Sequence, residues 1–439
     1  MAFQTDPSQA SRLPFLPAPG WLRLHARWPV VLLAGILGIL AIPAVATEPL
    51  PGRSVQSIHA WLLEHNPEVQ ALALEAEAAQ ARIQPAGALP DPSAALTLRG
   101  LDIGRPRREE DMERETSFSL RQRFPLWGKR ELARTGARQQ ANASELDRDA
   151  TVRDLLAEAE SAYVRYWHAD QSVAVLDRRI ALLRQIEEIA GVRYALGMAA
   201  QQDAIRAQVE QTSMQRERIE RLAAKREAVA MLNVALGRPS DAPLATPEAT
   251  PALPVPNDAS SDTRQVANHP AVLAQQARVE AARTNVELQR RNRFPDVTVG
   301  VGALQNGDGL KSMELMLEVE IPFQQRARRE REREARLLKD AALARVEVTR
   351  RALDGRSATG RAQWSSARER RELTEKILLP QADAAYRSAL ASYQVGEVDF
   401  GTLLEALNEW QGADLARVDA LRDELLGAAA VRAIDGDTP

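Results

Sequence analysis

A chain of 439 residues is long enough for two or three ordinary domains or for one large elongated one. Hydrophobic residues make up 45% but aromatics only 4%, which excludes a thick aromatic core and points to long helices packed along narrow seams. A formal charge of −3 offers no basic surplus for nucleic acid, and the lack of cysteine excludes disulfides, thiolate catalysis, cysteine metal sites and an N-terminal lipid on cysteine.

In chain order, residues 1–46 read as a cleavable export segment. Arg23 and Arg27 precede the apolar run Val30–Ile42, and Ala44-Val45-Ala46 supplies a small-residue cleavage site. The run is shorter than the roughly 20 residues that a spanning helix needs. Its removal takes Arg12, Arg23 and Arg27 against Asp6 and changes the formal charge from −3 to −5. No later apolar run reaches spanning length, so a bilayer could be crossed only by a closed β-barrel.

The remainder of the chain is a duplication, with repeats over 47–238 and 264–439 joined by a proline-rich linker over 239–263. His65-Asn66-Pro67-Glu68-Val69 matches Asn268-His269-Pro270-Ala271-Val272. Leu89-Pro90-Asp91 matches Phe294-Pro295-Asp296, and Tyr194-Ala195-Leu196-Gly197 matches Tyr393-Gln394-Val395-Gly396. Each repeat reads as helix, two strands, very long helix, helix. The first opens with a helix over about 54–84, then strands near Ala94–Gly100 and Glu115–Arg123. A helix from about Leu126 to Ala195 follows, with Val173, Leu176, Ile180 and Leu183 along one seam. Its length is roughly 100 Å, more than a compact domain can hold. The second long helix runs from about Arg326 to Gln394, with a kink expected at Pro380. The fold class is therefore mainly α with a small β part, in two tandem units.

The strands alternate with period two. Phe118 and Leu120, Val297 and Val299, and Leu315, Leu317 and Val319 fall on one side. Arg121, Arg123, Glu314, Glu318 and Glu320 fall on the other. Periodicity alone fits a membrane barrel and a soluble half-buried sheet equally well. In a membrane, four strands per chain demand that several chains share one barrel, because an open edge in lipid leaves backbone groups unpaired. Three chains would supply twelve strands.

These residues carry a resemblance. Phe118-Ser119-Leu120-Arg121-Gln122, then Pro125-Leu126-Trp127-Gly128-Lys129-Arg130, the twin Tyr-x-x-Gly turns and Leu403-Leu404-Glu405-Ala406 occur in the order found in TolC-type outer-membrane efflux factors. The chain resembles that family over nearly all of residues 47–439, and the Trp-Gly-Lys-Arg run resembles its heavy-metal branch, the CzcC-like and CusC-like proteins. The resemblance implies a homotrimer with a twelve-stranded outer-membrane barrel and a periplasmic α-barrel. It implies a passive exit duct that docks to a periplasmic adaptor (membrane fusion) protein and an inner-membrane efflux transporter. Tyr194, Leu196, Gly197, Tyr393, Val395 and Gly396 match the family's docking tips. Asp399, Thr402 and Glu405, on nearly one helical face, fall where family members narrow the periplasmic aperture. Asp399 equally suits a helix cap. The strand side with Phe118 would face outer-membrane lipid and the side with Glu318 the lumen.

No phosphate loop, nucleophile–base pair or spaced carboxylate motif stands out, so no enzyme and no cofactor are expected. His59, His65, His168 and His269 lack metal-ligand spacing and read as structural. The Arg/Glu run over 326–336 reads as a solvated helix face, and Trp61, Trp167, Trp364 and Trp410 as packing residues. A periplasmic adaptor and a secreted coiled-coil protein are the alternative readings; neither calls for two complete helix–strand–strand–helix units.

Overall fold

The computed structural model describes residues 50–99, 115–248, 250–252, 263–306 and 309–435. The expected export segment and much of the linker lie outside them. Local rules set the first break. Ser54 and Ser57 form a reciprocal capping box that opens α1 (Val55–His65). Asn66 precedes a proline and is extended, as that position requires. The one opening helix expected over 54–84 is therefore three: α1, α2 (Pro67–Ala81) and α3 (Ile83–Ala86).

Strands β1 (Ser93–Arg99) and β2 (Glu115–Phe124) lead into α4 (Lys129–Ala195). At 67 residues, α4 is about 100 Å long. Helix α5 (Gln201–Ala235) returns beside it. The second repeat contains α6 (Thr263–Ala267), α7 (Pro270–Arg291), β3 (Asp296–Asn306), β4 (Gly309–Glu320), α8 (Gln325–Leu373), α9 (Leu379–Val395) and α10 (Phe400–Asp435). A π turn, Thr374–Leu378, joins α8 to α9. There the Leu379 N–H reaches back five residues to the Thr374 carbonyl. The wide turn accommodates Pro380, which has no N–H to give and whose ring would crowd the carbonyl four residues back. Helical structure thus continues through Pro380 by way of this π turn.

Each repeat pairs one long rod with a second rod built from two half-helices stacked end to end. In the first, α5 ends where α2 begins. The Asn66 side chain donates to the Ala235 carbonyl at 3.1 Å and accepts the Glu68 N–H at 2.8 Å. Gly237, at φ 70°, permits the close approach, since a Cβ there would lie 2.6 Å from Pro67 Cδ. In the second, α10 ends where α7 begins, and His269 caps α7 through Nδ1 at 3.2 Å from the Ala271 N–H.

The helical core is a chain of seams, as expected from the scarcity of aromatics. Ile58, Leu62, Tyr163, Leu232 and Leu236 join α1, α4 and α5. Leu176, Ile180, Leu183, Tyr386, Phe400 and Leu403 join α4, α9 and α10 further along. Val173, one turn earlier on α4, is also buried. Trp167 and Trp364 are buried; Trp61 and Trp410 are half-buried. The first residues of the linker are not a free tether. Ala245 N–H bonds the Pro51 carbonyl and Glu248 N–H that of Arg53, each at 3.0 Å, and Tyr166 Oη donates to the Ala245 carbonyl.

Candidate channel surfaces: two sheet faces and two helical tips

The four strands form one antiparallel sheet in the order β1-β2-β3-β4. Its register sorts the side chains. Phe118 stands opposite Ala303, which stands opposite Met313; Leu120, Val301 and Leu315 form the next row. Val299 faces Leu317 and Val297 faces Val319. Because opposed residues share a face, the whole set Phe118, Leu120, Val297, Val299, Leu315, Leu317 and Val319 lies on one side. Leu315 is 79% exposed and Leu317 70%. Such a contiguous apolar surface marks contact with lipid or protein. Arg121, Arg123, Glu314, Glu318 and Glu320 share the opposite face. Gly300 lies between Arg121 and Met316, where a Cβ would come within 2.9 Å of Met316 Cε.

A buried charge cluster fastens this sheet to the rods. The Asp296 carboxylate takes Lys129 Nζ at 2.7 Å, Arg123 at 3.0 Å and the Leu126 N–H at 3.2 Å. Arg123 also reaches Glu320 at 2.7 Å. Trp127 and Gly128 both have positive φ, 62° and 71°, and turn the chain from β2 into α4. Trp127 Nε1 donates to the Pro295 carbonyl at 2.9 Å, and its ring packs against Phe294. The Trp-Gly-Lys-Arg motif is therefore a strand-to-helix clamp. Its partner Asp296, which heads β3 directly after Pro295, is marked in the sequence only by its match to Asp91 and not as a partner of Lys129.

At the far ends of α4 and α9 lie the two turns. Gly197 (φ 73°) and Gly396 (φ 88°) each end a helix in the left-handed region that glycine enters without cost. Met198 N–H reaches the Arg193 carbonyl at 2.8 Å, and Glu397 N–H reaches Ser392 at 2.9 Å, the same closing bond in both repeats. The side chains are not equivalent. Tyr194 is 47% exposed and Leu196 and Val395 stand in solvent, whereas Tyr393 is 2% exposed. Tyr393 packs edge-on to Phe400 and beneath the Arg193 guanidinium, 4.7 Å from its ring centre. It holds the two turns together.

In the segment beyond the second turn, Asp399 is the cap of α10. Its Oδ1 accepts the Thr402 N–H at 2.8 Å and lies 3.2 Å from the Thr402 hydroxyl. Those bonds, helped by the charge of Arg206, hold its carboxyl below the usual range. Asp399 and Thr402 are thus occupied with each other. Glu405, a turn further on, is exposed and has no ion-pair partner among the described residues.

The two repeats are stitched along α4 and α10. Arg178 pairs with Asp414 at 3.2 Å, His168 with Asp419 at 2.6 Å, and Arg432 with Glu160 at 2.6 Å in full burial. The hydrogen bond from His168 holds the Asp419 carboxyl low. His59 Nε2 lies 2.9 Å from the other Glu160 oxygen, out of line for a hydrogen bond. His65 stacks on Trp61. Among the described residues no cluster of three or more His, Asp or Glu side chains could hold a metal ion.

The chain matches the family model described as outer membrane efflux protein over residues 61–238 and 264–437. It is 23% identical over 376 residues to the cobalt-zinc-cadmium resistance protein CzcC of Cupriavidus metallidurans, covering 83% of this chain and 84% of that protein. Among solved structures it superposes on CusC with a TM-score of 0.76 at 15% identity, covering 87% of this chain and 92% of CusC. The outer membrane protein VceC of Vibrio cholerae gives a TM-score of 0.72 at 17% identity, covering 87% of this chain and 96% of that one. With both repeats matched in order, the chain belongs to the outer membrane efflux protein family, and it is an efflux channel component rather than an adaptor or a secreted coiled coil.

Proposed function

We propose that three copies close one twelve-stranded barrel in the outer membrane and continue as an α-helical tunnel into the periplasm. The assembly serves as the exit duct of a tripartite pump. The observation that carries this reading is the sheet: four strands, a broad exposed apolar patch on one face, both edges unpaired among the described residues. Such a sheet cannot lie in lipid alone, and copies joined edge to edge remove the unpaired backbone. The apolar face meets lipid and the face with Arg121, Glu314 and Glu318 lines the lumen. The exposed Tyr194, Leu196 and Val395 around Gly197 and Gly396 meet the periplasmic adaptor, which links the duct to an inner-membrane transporter. Likeness to a cobalt-zinc-cadmium resistance protein supports divalent heavy-metal cations as cargo.

The test is complementation of a strain lacking its own duct, scored by growth on zinc, cobalt and cadmium. The wild-type chain restores resistance and is recovered from the outer membrane as a heat-sensitive trimer. Gly197→Leu combined with Gly396→Leu leaves that trimer in place but abolishes resistance. Full resistance with both changes refutes the docking assignment. Rescue of drug tolerance without rescue on metals refutes the cargo.

A further inference from the structure

The two end-to-end helix joints are built alike but from different side chains. In the first repeat, Asn66 accepts the Glu68 N–H at the start of α2 and donates to the Ala235 carbonyl at the end of α5. In the second, His269 occupies the matching position. Its Nδ1 accepts the Ala271 N–H at the start of α7, and the ring is hydrogen-bonded to the Ala433 carbonyl at the end of α10. With Nδ1 accepting, the bond to Ala433 requires the proton on Nε2. Neutral imidazole in that tautomer can bridge both helix ends, as an amide can. Imidazolium cannot. It has no acceptor left for the Ala271 N–H, and it sets a positive charge against the positive end of the α7 dipole.

We propose that His269 makes the α10–α7 joint an acid-sensitive coupling, while Asn66 keeps the α5–α2 joint indifferent to pH. The surroundings of His269 favour the neutral form. The ring is buried, which is the main effect. Arg153 on α4 and Arg356 on α8 also disfavour a second proton, against the pull of Asp154 and the Ala433 carbonyl. On α10 itself the nearby charges are engaged elsewhere, Arg432 with Glu160 and Asp435 with Arg361. Burial and the two arginines hold the pKa below the ordinary histidine value of 6.5. The joint is therefore at full strength above that value and weakens as pH falls below it, because the parted state binds the additional proton. What acid loosens is the anchorage of the α9–α10 hairpin. The α4–α5 hairpin keeps its amide joint.

The experiment is amide hydrogen exchange on the full-length trimer between about pH 7.5 and about pH 5, the range in which histidine titrates. Rates are corrected for intrinsic exchange. Residues 67–72 serve as the internal control for residues 270–275. Wild-type protection over 270–275 should fall by up to about tenfold per pH unit, the limit for one coupled proton, while 67–72 stays constant. His269→Asn should keep neutral-pH protection and remove the acid loss, and Asn66→His should bring acid loss to 67–72. The proposal is overturned by wild-type protection over 270–275 that is flat in pH, or by an acid loss that persists unchanged in His269→Asn. The wild-type comparison of the two joints decides the matter even where a variant fails to assemble.

Discussion

At the scale of single residues, Asp296 is the position on which most depends. It is the carboxylate for a buried lysine, an arginine and a backbone N–H, drawn from the β2–α4 connection of the other repeat. Removing one partner of a buried pair strands the other charge and costs about 3–5 kcal/mol. Asp296→Ala should therefore lower the temperature at which the proposed trimer dissociates, whereas Lys311→Ala, in an exposed pair with Glu115, should leave it nearly unchanged. Heated samples on a semi-native gel would show the difference, and equal midpoints would remove the clamp. The sequence pointed to Trp127, Gly128 and Lys129 by resemblance, and to Asp296 only as a repeat marker. No local pattern says that a lysine and an aspartate 167 residues apart will meet. Tyr194 and Tyr393 teach the same lesson. Their motifs match, yet Tyr393 is buried because Arg193 and Phe400 close over it.

At the scale of elements, the strands were the most legible part. Period-two alternation is a local property, and the register then placed each predicted apolar position on a common face. If that face meets lipid, Leu317→Arg puts a charge in hydrocarbon at roughly 2–4 kcal/mol, while Glu318→Gln on the other face costs little. Outer-membrane yield of the proposed trimer should fall for Leu317→Arg alone. Equal yields would reverse or abolish the face assignment. Helices were legible in extent but less so in their breaks. The opening helix divides at Asn66, where the following proline enforces an extended residue. At Pro380 the proline does not end the helix, which continues through a π turn five residues long.

At the scale of the whole molecule, the long rods α4 and α8–α9 gain their neighbours from half-helices stacked at Asn66 and His269. The tips are set at one end of these rods and the sheet at the other. Symmetric assembly of three copies would bring Glu405 three times around one axis, free of the hydrogen bonds that occupy Asp399. A ring of carboxylates in a narrow aqueous opening concentrates cations and repels anions. Glu405→Gln should therefore lower cation selectivity in planar bilayers and weaken block by multivalent cations added from the periplasmic side. Selectivity and block unchanged from wild type would make Glu405 an ordinary surface residue.

The long helices, the alternating strands and the glycine turns were determined by the sequence alone. Each is a short-range matter of periodicity, capping or backbone freedom. The tertiary structure decided which helices stack end to end, which acid closes the Lys129 clamp, and which tyrosine of the matched pair is buried. Those outcomes turn on contacts such as Arg432 with Glu160, 272 residues apart, which exist only once both repeats are folded against each other. Buried charges are tolerated only when fully paired, so the partner is chosen by packing and not by spacing along the chain.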